Sequence, residues 1–194
     1  MFTGIINNAG KISEKTDSRL TIIADKKLIG KLNEGASIAV DGICLTVVSF
    51  TKDKFSIDFI PETAKKTSIR YFKKGDAVNL EMPATSSTFL AGHIVQGHID
   101  AVGKIINIKK NGNSRIFTFS LPENIEKYIV KKGSVAVNGI SLTVIDVTKK
   151  HFTVGIIPHT WKKTMLSTAK IGDYVNIEAD VLAKYVEKLL RKKV

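Results

Sequence analysis

The chain repeats itself. Gly42-Ile43-Cys44-Leu45-Thr46-Val47 returns as Gly139-Ile140-Ser141-Leu142-Thr143-Val144, and Ile60-Pro61-Glu62-Thr63 returns as Ile157-Pro158-His159-Thr160. Gly75-Asp76 and Val78-Asn79-Leu80-Glu81 return as Gly172-Asp173 and Val175-Asn176-Ile177-Glu178, always at an offset of 97 residues. From Ser37/Ser134 to Glu81/Glu178 the copies align without a gap, and about half of the positions are identical. Solenoid units run to roughly 20–50 residues, so this longer period marks one small domain duplicated. A ligand that fits one half has a related site in the other.

Each copy reads as β structure. Ser37-Ile38-Ala39-Val40 and Ser134-Val135-Ala136-Val137 run into Asp41-Gly42 and Asn138-Gly139, a strong tight-turn signal, and a second β-branched run leaves each turn. Phe55 to Ile60 and Phe152 to Ile157 alternate as half-buried strands do. Short strands near ten residues apart predict an all-β chain with a small barrel or sandwich per half. Gly10-Lys11-Ile12 matches Gly103-Lys104-Ile105, which places the junction near Phe89 to His93. The division is therefore 1–93, then 94–190, with a basic tail at 191–194. From about Asp180, an N-cap, the stripe Val181, Leu182, Tyr185, Val186, Leu189 and Leu190 predicts a helix. Its basic end, Arg191 to Lys193, suits the helix C-terminus. The helix packs on its own barrel or on copies of itself, and the narrow stripe favours self-association.

Composition narrows the function classes. The net charge of +12 comes from 30 basic against 18 acidic residues, but only Arg19, Arg70, Arg115 and Arg191 are arginines and the lysines lie in scattered pairs. Phosphate and base recognition favours clustered arginine, so the charge reads as solvated surface with no nucleic acid. No apolar run approaches the roughly 18–20 residues of a membrane span, and the N-terminus lacks a secretory pattern, so the expected setting is the cytoplasm. The single cysteine, Cys44, excludes an intrachain disulfide, and His93, His98, His151 and His159 offer no metal spacing.

Met1-Phe2-Thr3-Gly4-Ile5, Gly42 to Val47, Gly92-His93-Ile94-Val95-Gln96-Gly97-His98-Ile99-Asp100 and Asn138 to Val144 together resemble the riboflavin synthase family, over essentially the whole chain. The resemblance implies two tandem six-stranded Greek-key β-barrels with a C-terminal helix that assembles a homotrimer. It implies a dismutation of two 6,7-dimethyl-8-ribityllumazine molecules into riboflavin and 5-amino-6-ribitylamino-uracil by transfer of a four-carbon unit, with no cofactor or metal. It also implies a site shared between subunits, and it names lumazine synthase as a candidate partner.

Carried over residue by residue, the resemblance marks Phe2, Ser37, Cys44, His98, Ser141, Thr143 and Asp180 as catalytic candidates. An imidazole such as His98 suits proton transfer near neutrality. Cys44, with serine in its place in the other copy, reads as a pocket-lining thiol and not an obligate nucleophile. Substrate-contact candidates are Gly4, Ile5, Ile6, Cys44, Leu45, Thr46, Gly97, His98, Ile99, Lys132, Ser141, Leu142 and Thr143. The segments Asp58-Phe59-Ile60-Pro61-Glu62-Thr63 and Gly155-Ile156-Ile157-Pro158-His159-Thr160 are expected to hold the ring edge and ribityl chain. His93 reads as a structural histidine. Ala91 and Met82 depart from the family's usual glycine and arginine and bear on the interdomain loop. The rival readings are a non-catalytic lumazine- or flavin-binding paralogue, a flavin reductase, which would need a nicotinamide-binding fingerprint that is missing, and an oligonucleotide-binding barrel.

Overall fold

The computed structural model describes residues 1–191, the last of them by its backbone alone; the rest of the predicted basic tail lies outside the described residues. Six strands build the first half: β1 (Asn8–Lys15), β2 (Arg19–Ile23), β3 (Ser37–Val40), β4 (Ile43–Phe50), β5 (Lys54–Asp58) and β6 (Ala77–Glu81), with short helices α1 (Lys26–Ile29) and α2 (Pro61–Lys66). Six more build the second: β7 (Ala101–Asn111), β8 (Ser114–Ser120), β9 (Ser134–Val137), β10 (Ile140–Val147), β11 (His151–Ile156) and β12 (Tyr174–Ala179), with α3 (Pro158–Lys163). Helix α4 (Val181–Arg191) follows.

Each set closes into an antiparallel barrel, in the order β1-β2-β5-β4-β3-β6 and the equivalent β7-β8-β11-β10-β9-β12. Closure needs local bends, and β-bulges supply them. The register shifts at Ile12/Glu14 and Val47/Ser49 recur at Ile105/Asn107 and Val144/Asp146. Inward side chains fill two separate cores, Leu20, Ile22, Ile38, Phe55, Ile57 and Leu80 in one, Phe117, Phe119, Val135, Phe152, Val154 and Ile177 in the other. Two cores of this size, not one, follow from the alternation that the sequence carries twice.

The barrels meet across a polar seam with internal two-fold character. The turn residues Asp41, Gly42, Asn138 and Gly139 all have positive φ, the signature of a type I′ hairpin. The two glycines abut so closely that a Cβ on Gly42 would sit 2.5 Å from the Gly139 nitrogen. Buried Asn79 donates through Nδ2 to the Asn138 carbonyl at 2.9 Å and accepts from the Met165 amide at 2.7 Å. Asn176 repeats this with the Asp41 carbonyl at 2.9 Å and the Ser68 amide at 2.7 Å. Buried amides satisfied on both ends fix one docking geometry, because any slip strands several polar groups.

Both options for the last helix have a face. Val181 is buried, Lys184 pairs with Asp100 at 2.6 Å, and Glu187 binds Lys127 and the Tyr128 hydroxyl, so one side of α4 is tied to the second barrel. Leu182, Tyr185, Val186, Leu189 and Leu190 stand exposed on the remainder. None of the helices among the described residues is long and apolar enough to cross a membrane.

Candidate functional site

Alternation on β4 and β10 decides which side chains leave the barrel. Ile43, Leu45 and Val47 point into the first core, so Cys44 and Thr46 face outward. On the paired strand Ser37 lies opposite Thr46 and Ala39 opposite Cys44. The second barrel repeats the surface with Ser134 opposite Thr143 and Ala136 opposite Ser141. Each outward face thus carries two hydroxyls around one thiol or serine.

An extended arm lies on each face, and the arms are exchanged. The Cys44 amide donates to the Gly97 carbonyl at 2.9 Å, and the Ser141 amide donates to the Gly4 carbonyl at 2.8 Å. The arm from the start of the chain therefore serves the second barrel, with Ile6 in that barrel's core, while Ile99 packs against the first. Phe2 and Val95 exchange backbone hydrogen bonds at 2.6 and 3.1 Å where the arms cross. Both side chains are buried there with Ala39 and Ala136, against Cys44. Gly4 and Gly97 have φ of 76° and 82°, and a Cβ on either would lie 2.6 Å from the Cβ of Ser141 or Cys44. Only glycine permits both that conformation and that approach.

A buried glutamate staples each arm. Glu81 accepts from the Thr3 amide and hydroxyl, both at 2.8 Å, and from the Gly4 amide at 3.1 Å. Glu178 accepts from the amides of Gln96, Gly97 and His98 at 2.7, 2.9 and 3.2 Å. Burial pushes both carboxyls above the ordinary range, and the amide hydrogen bonds pull them back. The halves then diverge. His93, buried, places Nδ1 2.7 Å from the Ser141 hydroxyl oxygen, and its Nε2 has no partner among the described residues. Burial holds this imidazole below its usual pKa, opposed by the charge of Asp180. With the proton on Nε2, Nδ1 accepts the Ser141 hydroxyl proton, the geometry of an activated hydroxyl. Asp180 also caps α4, accepting from the Leu182 amide at 3.0 Å. In the first barrel the equivalent face has Cys44 and, on the arm, exposed His98.

The lumazine binding domain model matches this chain twice, over residues 3–83 and 96–180. The riboflavin synthase of Actinobacillus pleuropneumoniae is 42% identical over 196 residues, covering 100% of this chain and 91% of the relative. That of Photobacterium phosphoreum is 44% identical, covering 98% and 89%, and that of Bacillus subtilis 40%, covering 99% and 91%. The chain belongs to the riboflavin synthase family. Among solved structures, LumP complexed with riboflavin superposes with a TM-score of 0.85 at 25% identity, covering 92% of this chain and 99% of LumP. The expected pair of six-stranded barrels with a terminal helix is what the chain forms.

The family's candidate residues fall in several places here. Ser37, Cys44, Thr46, Gly97 and His98 come together on the first barrel, and Gly4, Ile5, Ser141, Thr143 and Asp180 on the second. Leu45, Leu142, Phe59 and Ile156 point into the cores, and Phe2 is sealed between the barrels. Asp58 is engaged by Arg19 at 2.6 and 2.9 Å, and Glu62 by Lys66 at 2.6 Å. Ile60, Pro61, Gly155, Ile157 and His159 are exposed or half-exposed beside Pro158, Thr63 and Thr160, whose segments form the first turns of α2 and α3. Exposed Lys132 has φ of 67° where the first copy has Gly35, a strained position for a side-chain-bearing residue.

Three side chains that the structure brings to the two faces, His93, Glu81 and Glu178, are not among the candidates read from the sequence, where His93 reads as structural. The glutamates did leave a signal: an acid kept in both copies at the end of an apolar strand. His93 stands within the Gly92 to Asp100 motif, but its pairing with Ser141, 48 residues away, leaves no local signal. A cleft of about 690 Å3 between the barrels, lined by Asp41, Ser68, Tyr71, Met165 and Tyr174 among others, holds none of the candidates. Among the described residues, no three His, Cys, Asp or Glu side chains gather to hold a metal.

Proposed function

We propose that this protein is a riboflavin synthase: it joins two molecules of 6,7-dimethyl-8-ribityllumazine and moves a four-carbon unit from one to the other, releasing riboflavin and 5-amino-6-ribitylamino-uracil. The relatives named above support the activity. The observation that carries the mechanism is the pair of like half-sites, each an outward hairpin face covered by an arm that begins in the other half. Two copies of one molecule need two like cradles. Holding both in register removes up to roughly 7–11 kcal/mol of entropic barrier from a bimolecular step. The asymmetry between Cys44 with His98 and Ser141 with His93 and Asp180 distinguishes the donor from the acceptor.

The half-sites open outward from each barrel, so a reacting pair of rings forms when the first barrel of one subunit meets the second barrel of another. The exposed stripe of α4 is the contact that gathers a homotrimer. The lumazine-binding units are 1–93 and 94–190 counted along the chain, the reaction needs no cofactor, and the setting is cytoplasmic. The remaining candidate contacts, from Asp58 to Thr63, from Gly155 to Thr160, and Lys132, border the ring and ribityl chain.

Purified protein mixed with dimethylribityllumazine, without reductant or nicotinamide, is the test. One riboflavin and one 5-amino-6-ribitylamino-uracil should appear for each pair of substrate molecules consumed. A shift in lumazine fluorescence with no riboflavin would show a binding protein instead.

A further inference from the structure

We infer that Glu178 is a positioning residue for the reaction, setting the stance of His98 by gathering the backbone amides of Gln96, Gly97 and His98 on one carboxylate. The inference rests on the riboflavin synthase reading and deepens it. The arm from Val95 to Ile99 belongs to none of the strands of either barrel. Its backbone is fixed at Val95 by Phe2, at Gly97 by the Cys44 amide, and otherwise by Glu178. His98 is exposed, so packing does not place its imidazole; the backbone it grows from does. Two residues on, Asp100 accepts from the Ala179 amide at 2.9 Å and pairs with Lys184 of α4 at 2.6 Å. His98 is thereby bracketed on both sides by the junction of β12 with the terminal helix.

A carboxylate 2% exposed is costly to bury, and stability alone would be served as well by an apolar strand end. What the charge provides is three amides held at once, which a neutral side chain of equal size cannot do. Glu81 is the built-in comparison. It staples the other arm in the same way, but the residue equivalent to His98 there is Ile5, which carries no proton.

The test is a double-mutant cycle in the full-length protein, with kcat and KM for dimethylribityllumazine measured beside the melting temperature. Glu178→Gln keeps the volume but leaves one acceptor oxygen for three amides. It should lower kcat at least about tenfold with KM changed less than about threefold, and in a His98→Gln background the same change should cost less than about threefold. Glu81→Gln should cost the same factor with or without His98. An equal loss from Glu178→Gln in both backgrounds, or an unchanged kcat, overturns the inference while the wild-type activity stands. If Glu178→Gln does not fold, Glu178→Asp, which keeps the charge on a shorter stem, takes its place under the same criteria. A wild type that makes no riboflavin overturns the functional reading, and the positioning role with it.

Discussion

Asp41→Asn makes the two turn residues of the seam alike, asparagine in both copies, and exposes one buried proton to measurement. Asp41 is 2% exposed, and burial pushes its carboxyl from 3.8 up to about 8. The folded protein therefore keeps this proton through neutral pH, whereas the unfolded chain releases it near 3.8. Stability from this group is complete below the unfolded value and is lost as pH rises towards and through about 8. Each pH unit in that window costs about 1.4 kcal/mol. Between about pH 5 and pH 8 the loss is on the order of 4 kcal/mol, against a typical total of roughly 5–15 kcal/mol. Asparagine removes the titration and keeps an oxygen for the Asn79 amide, now 2.7 Å from the carboxyl Oδ1. It also offers an N–H where the equivalent Asn138 donates to the Met165 sulfur. In the first copy Ser68 takes the place of Met165, and its buried hydroxyl oxygen has no partner among the described residues. Urea unfolding of both proteins across that pH range is the assay. The variant's advantage should widen with pH, because the slopes from Glu81 and Glu178, raised in the same direction, cancel in the difference. Parallel stability curves, or a variant less stable than wild type at pH 8, would refute a neutral Asp41.

Gly97→Ala should strain the arm by about 1–2 kcal/mol at its positive φ and push it off Cys44. Its effect on turnover should couple to Cys44→Ala and not to Ser141→Ala, with Gly4→Ala showing the converse; reversed coupling would mean that the arms are not exchanged. Lys132→Gly should relieve up to about 1 kcal/mol of left-handed strain while raising KM, and a higher melting temperature with unchanged KM would return Lys132 to the solvated surface. His93→Gln should lower kcat about ten- to a hundredfold. Because burial lowers the His93 pKa, the folded protein keeps the ring neutral to below 6.5, and the stability tied to it is complete above 6.5 and is lost as pH falls through the lowered value. The acid limb of the wild-type pH–rate profile should therefore vanish in the variant.

Much of this architecture was legible in the residues because its signals are local. Alternation along Phe55–Ile60, the Asp-Gly and Asn-Gly turns and the repeat itself each lie within a few positions or recur at one constant offset. They are enough to read two like β units, while Cys44, Ser141 and their flanking hydroxyls are marked by the family resemblance of the motifs that carry them. The arms carry no such periodicity. Thr3 meets Glu81 across 78 residues and Gln96 meets Glu178 across 82.

The order of residues alone thus determined the duplication, the all-β character of both halves and the chemical types on each outward face. Those follow from side-chain alternation and turn stereochemistry, which neighbours along the chain impose on one another. Only the folded molecule decided which arm covers which barrel, that Glu81 and Glu178 hold the arms, and that His93 turns to Ser141. Those outcomes depend on buried polar groups finding partners across the seam, a demand that exists only after two barrels have closed and docked.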